Sequence, residues 1–178
     1  NPYRVTNKDL EKLNMTKEDY LNTLSDKNFA KIHPELVLTT KEHHLILDPA
    51  SKEVQDFLVQ TVLEIANKYD IKAFHIDDYF YPYDPIVDEK EDEKRMRIAP
   101  YLPLADFRRY NVNEMIRKIH EALKTVERKI EFGISPFAVY RTNSKYFSDG
   151  KGGWYKGSNH RSGAFQCYEG LYSDVYLW

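Results

Sequence analysis

Nine consecutive residues, Phe74-His75-Ile76-Asp77-Asp78-Tyr79-Phe80-Tyr81-Pro82, set two adjacent carboxylates between a short alternating run and a cluster of aromatics. Carboxylates act as acids, bases or nucleophiles, and aromatic faces stack on pyranose rings; glycoside hydrolysis needs the first and sugar binding the second. The alternation predicts a buried strand ending at Asp77, with Pro82 stopping the pattern. In α/β barrels the carboxyl ends of strands carry the chemistry. An Asp-Asp pair after a strand also serves as a turn or helix cap, which is the competing use. Alternation separates the two aspartates: Phe74 and Ile76 share one face, His75 and Asp77 the other, and Asp78 falls to the loop. Asp77 is therefore the leading catalytic candidate. Asp78 orients its neighbours, and His75 supports the site without reacting. Tyr79 and Tyr81 are expected to line sugar subsites, with core packing the alternative, above all for Phe80. Arg108 and Arg109 could bring positive charge to Asp77; salt bridges to Asp106 or to the acidic loop compete for them.

Hydrolysis of a glycosidic bond takes a second carboxylate, about 5 Å away for retention or roughly 6.5–9.5 Å for inversion. Asp48 ends an earlier strand but reads better as a turn residue, and Asp106 reads as a helix cap. The partner is expected on strands outside this chain. Metal sets drawn from His43, His44 and Asp48, or from His75, Asp77 and Asp78, lack the spacing of metal motifs. No metal or cofactor is expected.

The elements that must position these residues are legible as periodic runs. Thr16-Lys17-Glu18-Asp19 is a capping-box start for a short helix carrying Tyr20, Leu21 and Leu24. The segment up to Thr40 is otherwise polar and weakly periodic. His44 to Leu47 is a strand candidate, and Ser51 caps a helix whose Val54, Phe57, Leu58, Thr61, Val62, Ile65, Ala66 and Tyr69 recur at three- and four-residue spacings. The strand from Lys72 to Asp77 follows. The loop 84–103 holds the mixed charge run Asp88 to Arg95, a solvated excursion or a lid. A second helix is expected from Asp106, buried through Val112, Met115, Ile116, Ile119, Leu123 and Val126. The strand Lys129 to Pro136, a glycine-containing loop Ser148 to Gly163 and a third helix from Phe165 to Tyr176 complete the series. Three β/α units with long loops only after strands predict an α/β fold, part of a (β/α)8 TIM-type barrel; a doubly wound sheet is the alternative.

Composition narrows the classes. The chain has 178 residues and a formal net charge of −2, so bulk basicity for nucleic acid is lacking. Fourteen tyrosines, nine phenylalanines and two tryptophans suit a carbohydrate cleft as well as half-buried surfaces. A single cysteine, Cys167, excludes an internal disulfide. No apolar run reaches the ~20 residues of a membrane span. The abrupt ends, Asn1-Pro2-Tyr3-Arg4 and Tyr176-Leu177-Trp178, are expected to be cuts within a longer protein.

Five blocks in order, Asn1-Pro2-Tyr3-Arg4, Leu47-Asp48-Pro49, Phe74 to Pro82, Asp106-Phe107-Arg108-Arg109-Tyr110-Asn111-Val112-Asn113 and Phe132-Gly133-Ile134-Ser135-Pro136-Phe137, resemble the glycosyl-hydrolase-like 10 family. The resemblance implies a TIM-type barrel that hydrolyses O-glycosidic bonds of a bacterial polysaccharide, with peptidoglycan glycan strands as the expected substrate. It implies a location in the cell envelope or outside the cell, with a membrane link only through a lipid anchor outside this chain. A barrel takes about 250 residues, so the chain is expected to be its middle, one incomplete domain over 1–178 with little activity alone. Tyr3 and Arg4 are expected to line the mouth, because they follow a strand end in the family. Departures are mild: Phe107 replaces a usual tryptophan, Ala73 stands near a usual glycine, and the insertion 84–97 is long. The alternative is a non-catalytic carbohydrate-binding barrel.

Overall fold

A computed structural model describes residues 7–42, 44–77, 80–141, 146–148, 154–156 and 165–178. Three short helices, α1 (Asn7–Lys12), α2 (Lys17–Thr23) and α3 (Phe29–Ile32), lead through a 3-10 turn at Pro34–Leu36 into β1 (Val37–Thr39). The capping box forms as its sequence predicts: the Asp19 amide donates to Thr16 Oγ1 at 3.0 Å, and the Thr16 amide donates to Asp19 Oδ2 at 2.9 Å. Leu10, Leu21, Ala30, Val37 and Leu45 make the core of this region. The strand β1 is a departure from expectation. Its three residues are too few to show alternation, and Val37 and Leu38 are both buried.

The next strand, β2 (Leu45–Leu47), pairs antiparallel with β1 in the register Val37↔Leu47. It was expected to feed a parallel β-α-β unit through α4 (Lys52–Lys68) into β3 (Ala73–Ile76). Instead, the β1–β2 hairpin satisfies its hydrogen bonds locally, and β3 pairs parallel with β4 (Glu131–Ile134) in the register Phe74↔Phe132. The loop after β3 returns to β1. Lys41 N–H donates to Pro85 O at 2.7 Å, and Val87 N–H donates to Thr39 O at 3.2 Å.

Between β3 and β4 run α5 (Lys90–Ile98) and the long α6 (Leu104–Lys124). The charge run is therefore not wholly a solvated excursion: it folds as α5 and buries Glu91 completely. Helix α6 begins two residues before Asp106, with Pro103 at the N-cap and its carbonyl accepting from Phe107 N–H at 2.9 Å. Proline fits a helix start because its fixed φ suits the position and it has no amide to satisfy. Helices α4 and α6 cover one face of the β3–β4 pair. Val62, Ala66, Ile119 and Leu123 form that core, with Phe74, Ile76 and Phe132 against it. Gln55 on α4 crosses to α6 and donates to Asn111 O at 3.4 Å. The guanidinium of Arg128 donates to the carbonyls of Ala66 and Tyr69, closing the end of α4.

A short antiparallel pair, β5 (Tyr146–Ser148) with β6 (Trp154–Lys156), precedes α7 (Cys167–Gly170). The helix expected from Phe165 to Tyr176 shrinks to this single turn. Tyr172 has φ 56, a left-handed backbone, and the Ser173 amide donates back to Cys167 O at 3.0 Å. A tyrosine in that conformation breaks an α-helix. No helix among the described residues is long and apolar enough to cross a membrane.

Cys167 is fully buried, and burial pushes its thiol up to about 11. In the unfolded chain a thiol ionises near pH 8.5. Above that pH the unfolded state loses a proton that the folded state keeps, so stability falls as pH rises. A loss on the order of 2 kcal/mol is expected between about pH 9 and 11 from this group. Native protein should resist a thiol reagent at pH 8 that labels it at once in denaturant. Rapid native labelling would contradict the burial.

Candidate functional site

The carboxyl ends of β3 and β4 lie side by side because the strands are parallel. Phe74 and Ile76 point into the helix-covered core, while Ala73, His75 and Asp77 are exposed on the opposite face. The alternation expected of this strand is thus realised. His75 Nε2 and Ser135 Oγ share a hydrogen bond of 2.7 Å across the two strand ends, and Ser135 N–H donates to Ile76 O at 3.0 Å. Gly133 lies opposite His75, where an added Cβ would stand 3.6 Å from the imidazole. A cleft of about 500 Å³ opens between β2 and β3, with His75, Asp77, Phe80 and Pro82 among the residues that line it and Leu58, Phe74 and Met115 on its apolar wall. Among the described residues β3 pairs with β4 alone, and β2 pairs with β1 instead.

Asp78, Tyr79, Tyr3 and Arg4 lie outside the described residues. Tyr81 has a different use from the one expected. Only 1% exposed, it donates its hydroxyl to Glu91 Oε1 at 2.6 Å and sets its ring edge-on to Tyr172 at 5.0 Å. Burial first, then the adjacent Glu91 carboxylate, hold its phenol well above the ordinary range. Tyr81 is a core residue, with no open face for a sugar.

The arginines take the competing use weighed from sequence. Arg108 donates from Nε and Nη2 to Glu91 Oε2 at 2.8 and 2.6 Å, and from Nη1 to the Tyr172 hydroxyl at 2.8 Å. Burial opposes its charge, but Glu91 outweighs that and raises the guanidinium pKa. Arg109 donates to Asp106 at 2.7 Å and to Tyr168 O at 3.0 Å, and lies 4.1 Å over the Tyr168 ring. These contacts tie α5, α6 and the C-terminal segment together. Asp48 is held by Lys94 and accepts from Ala50 N–H at 2.8 Å, as a turn residue does.

Neither metal set weighed from sequence assembles among the described residues; His43 and Asp78 fall outside them. A different trio, Glu42, His44 and Asp84, brings its ligand-type atoms within 4.8 Å of one another. Its contacts are those of a latch: Glu42 N–H donates to Asp84 Oδ2 at 2.8 Å, and His44 Nδ1 lies 3.6 Å from the same oxygen. They fasten the hairpin to the loop after β3.

Two features escaped the sequence. Glu91 is hidden in a run whose neighbours are mostly solvated, and nothing local marks it. Tyr83 was legible in principle, since it extends the alternating Tyr79, Tyr81 series by one step. It stacks on Phe165 at 4.9 Å and meets the edge of Phe137 at 6.2 Å.

A parallel strand pair with an aspartate at its carboxyl end, backed by helices and bordered by aromatics, suits an α/β enzyme of the glycosidase type. Residues 9–178 match the family described as glycosyl hydrolase-like 10, and the chain belongs to that family. It is similar to glycosyl hydrolase YngK of Bacillus subtilis (strain 168), with 34% identity over 182 residues that cover 100% of this chain and 32% of that protein. It is also similar to glycosyl hydrolase DigH of Escherichia coli (strain K12), at 29% over 181 residues, covering 100% of this chain and 38% of that protein. The chain spans about a third of the length of these curated relatives.

Proposed function

We propose that the chain is part of a (β/α) barrel that hydrolyses O-glycosidic bonds of a bacterial polysaccharide, with cell-wall glycan strands as substrate and the cell envelope as its place of work. The observation that carries this reading is Asp77, exposed just beyond a parallel strand on the face turned away from the helices. Family membership supplies the reaction class. In such a reaction one carboxyl group protonates the leaving oxygen, while the other attacks the anomeric carbon or activates water. Asp77 takes one of these roles, with Asp78 beside it. His75, tethered to Ser135, borders the site and keeps the strand ends in register. The second carboxylate comes from strands outside this chain.

The second reading, a carbohydrate-binding barrel without catalysis, has one observation in its favour. Asp48, Glu91 and Asp106 are all engaged by cations, so none stands ready as the partner acid. The full-length protein incubated with purified peptidoglycan glycan strands separates the readings, with new reducing ends as the readout. Release by wild type supports hydrolysis. Retention of the glycan without release supports the binding barrel.

A further inference from the structure

The turn of the β1–β2 hairpin and the loop after β3 bring two carboxylates and an imidazole to one place. Glu42 and His44 stand at the hairpin turn, and Asp84 stands on the loop. One ligand-type atom from each, a carboxylate oxygen or an imidazole nitrogen, lies within 4.8 Å of the others. The backbone fixes this meeting. Thr40 and Ile86 form an antiparallel bridge, with Lys41 N–H donating to Pro85 O and Val87 N–H to Thr39 O on either side. Glu42 N–H donates to Asp84 Oδ2 at 2.8 Å, and His44 N–H donates to Oγ1 of the fully buried Thr40 at 3.0 Å.

None of that fastening uses the Glu42 carboxylate. Among the described residues it makes no hydrogen bond or ion pair, although it converges on Asp84 and His44. The Asp84 side chain is only 11% exposed, and the group facing its charge is His44 Nδ1 at 3.6 Å; no lysine or arginine among the described residues is paired with either carboxylate. Carboxylates closed in to this degree elsewhere carry a full cation, Lys94 on Asp48 and Arg108 on Glu91. Two carboxylates drawn together without a cation repel each other, and a positive ion between them removes the cost. An imidazole with two carboxylates is a donor set for zinc, which takes His nitrogen and Asp or Glu oxygen at about 2.0–2.2 Å. Calcium and magnesium favour oxygen alone. Tetrahedral donors at that distance stand about 3.4 Å apart, so the trio meets an ion by drawing in roughly an ångström. The Glu42 amide on Asp84 Oδ2 is the kind of hydrogen bond that orients a ligating carboxylate.

We propose that Glu42, His44 and Asp84 bind a zinc ion, with water in the fourth position, and that the ion clamps the β1–β2 hairpin to the loop after β3. The trio shares only His44 with the metal sets weighed from sequence, because folding alone brings Asp84 to the hairpin. The ion's work is to fasten two segments, and no step of glycan cleavage passes through it. The site is independent of the glycosidase reading: zinc binding is measured whether or not the protein cleaves glycan.

The test uses full-length protein stripped of metal with a chelator and titrated with zinc chloride by calorimetry. Wild type is expected to bind zinc at this site at least about tenfold more tightly than Glu42→Gln, since even changes outside the ligand shell cost a metal site that much. Zinc should raise the melting temperature of wild type and not of the variant. Glu42→Gln is the decisive substitution: its carboxylate takes no part in the hydrogen bonds of the latch, so the metal-free variant should melt as metal-free wild type does. Asp84→Asn, which still offers an oxygen to the Glu42 amide, should lose zinc in the same way. Zinc affinity and zinc-dependent melting that are equal in wild type and both variants overturn the site and leave a hydrogen-bonded latch. Wild type that binds no zinc overturns it as well. Tighter binding of calcium or magnesium chloride than of zinc chloride, lost in Glu42→Gln, overturns the assignment of the ion.

Discussion

Replacing Glu91 by alanine is expected to destabilise the protein by about 3–5 kcal/mol, the usual cost of removing one member of a buried ion pair. For a chain of this size that is a fall in melting temperature of roughly 6–20 °C. Glu91 is wholly buried and accepts from Tyr81 and twice from Arg108. Its loss leaves a guanidinium without its counter-charge and a phenol without its acceptor, both out of water. The damage comes from those orphans more than from the lost attraction. Replacing both partners together, Glu91→Leu with Arg108→Met, should therefore recover much of the loss. Thermal melts of the three variants check this. Equal stability of Glu91→Ala and wild type would show that α5 is not fastened through this pair. The pair also has a functional consequence, because Tyr81 lies on the segment that carries the chain away from Asp77. A loosened α5 should disturb the approach to the strand end, lowering turnover along with stability.

On the glycosidase reading proposed above, Asp77→Asn in the full-length protein is expected to lower glycan cleavage by about 10²–10⁴-fold, the range for removing a group that transfers a proton in the transition state. Asp77 is exposed beyond β3 and outside the buried core, so the substitution should leave the melting temperature close to wild type. Glycan affinity should persist, since amide and carboxylate are nearly the same shape. Initial rates of reducing-end release at equal protein concentration supply the measurement. Cleavage at the wild-type rate would remove Asp77 from the mechanism and direct attention to Asp78. These two variants have opposite signatures. One loses stability first and activity with it, and the other loses activity alone.

The helical stripes of α6 and of α4, apart from the exposed Thr61 and Tyr69, the Thr16 capping box and the alternation of Phe74 to Asp77 were legible in the sequence. Each depends on neighbours within a few residues, so spacing and side-chain type are sufficient. The end of the last helix was not legible. Its apolar spacing continues to Tyr176, yet Tyr172 takes a left-handed backbone and the helix ends at Gly170.

Which strand pairs with which was beyond local pattern. A strand of three residues carries no record of its partner, and β2 chose the hairpin with β1 over a place beside β3. The fates of Glu91, Tyr81 and the arginines were decided in the same way, by segments distant in sequence that close around one another. Charge and aromaticity give a residue's options, and burial selects among them. For Asp77, sequence alone determined that the carboxylate faces away from the helices, because a strand's alternation is a property of its own backbone. Tertiary structure decided that Tyr83, Phe137 and Phe165 share one stack, because only folding brings the ends of β3, β4 and the C-terminal segment together.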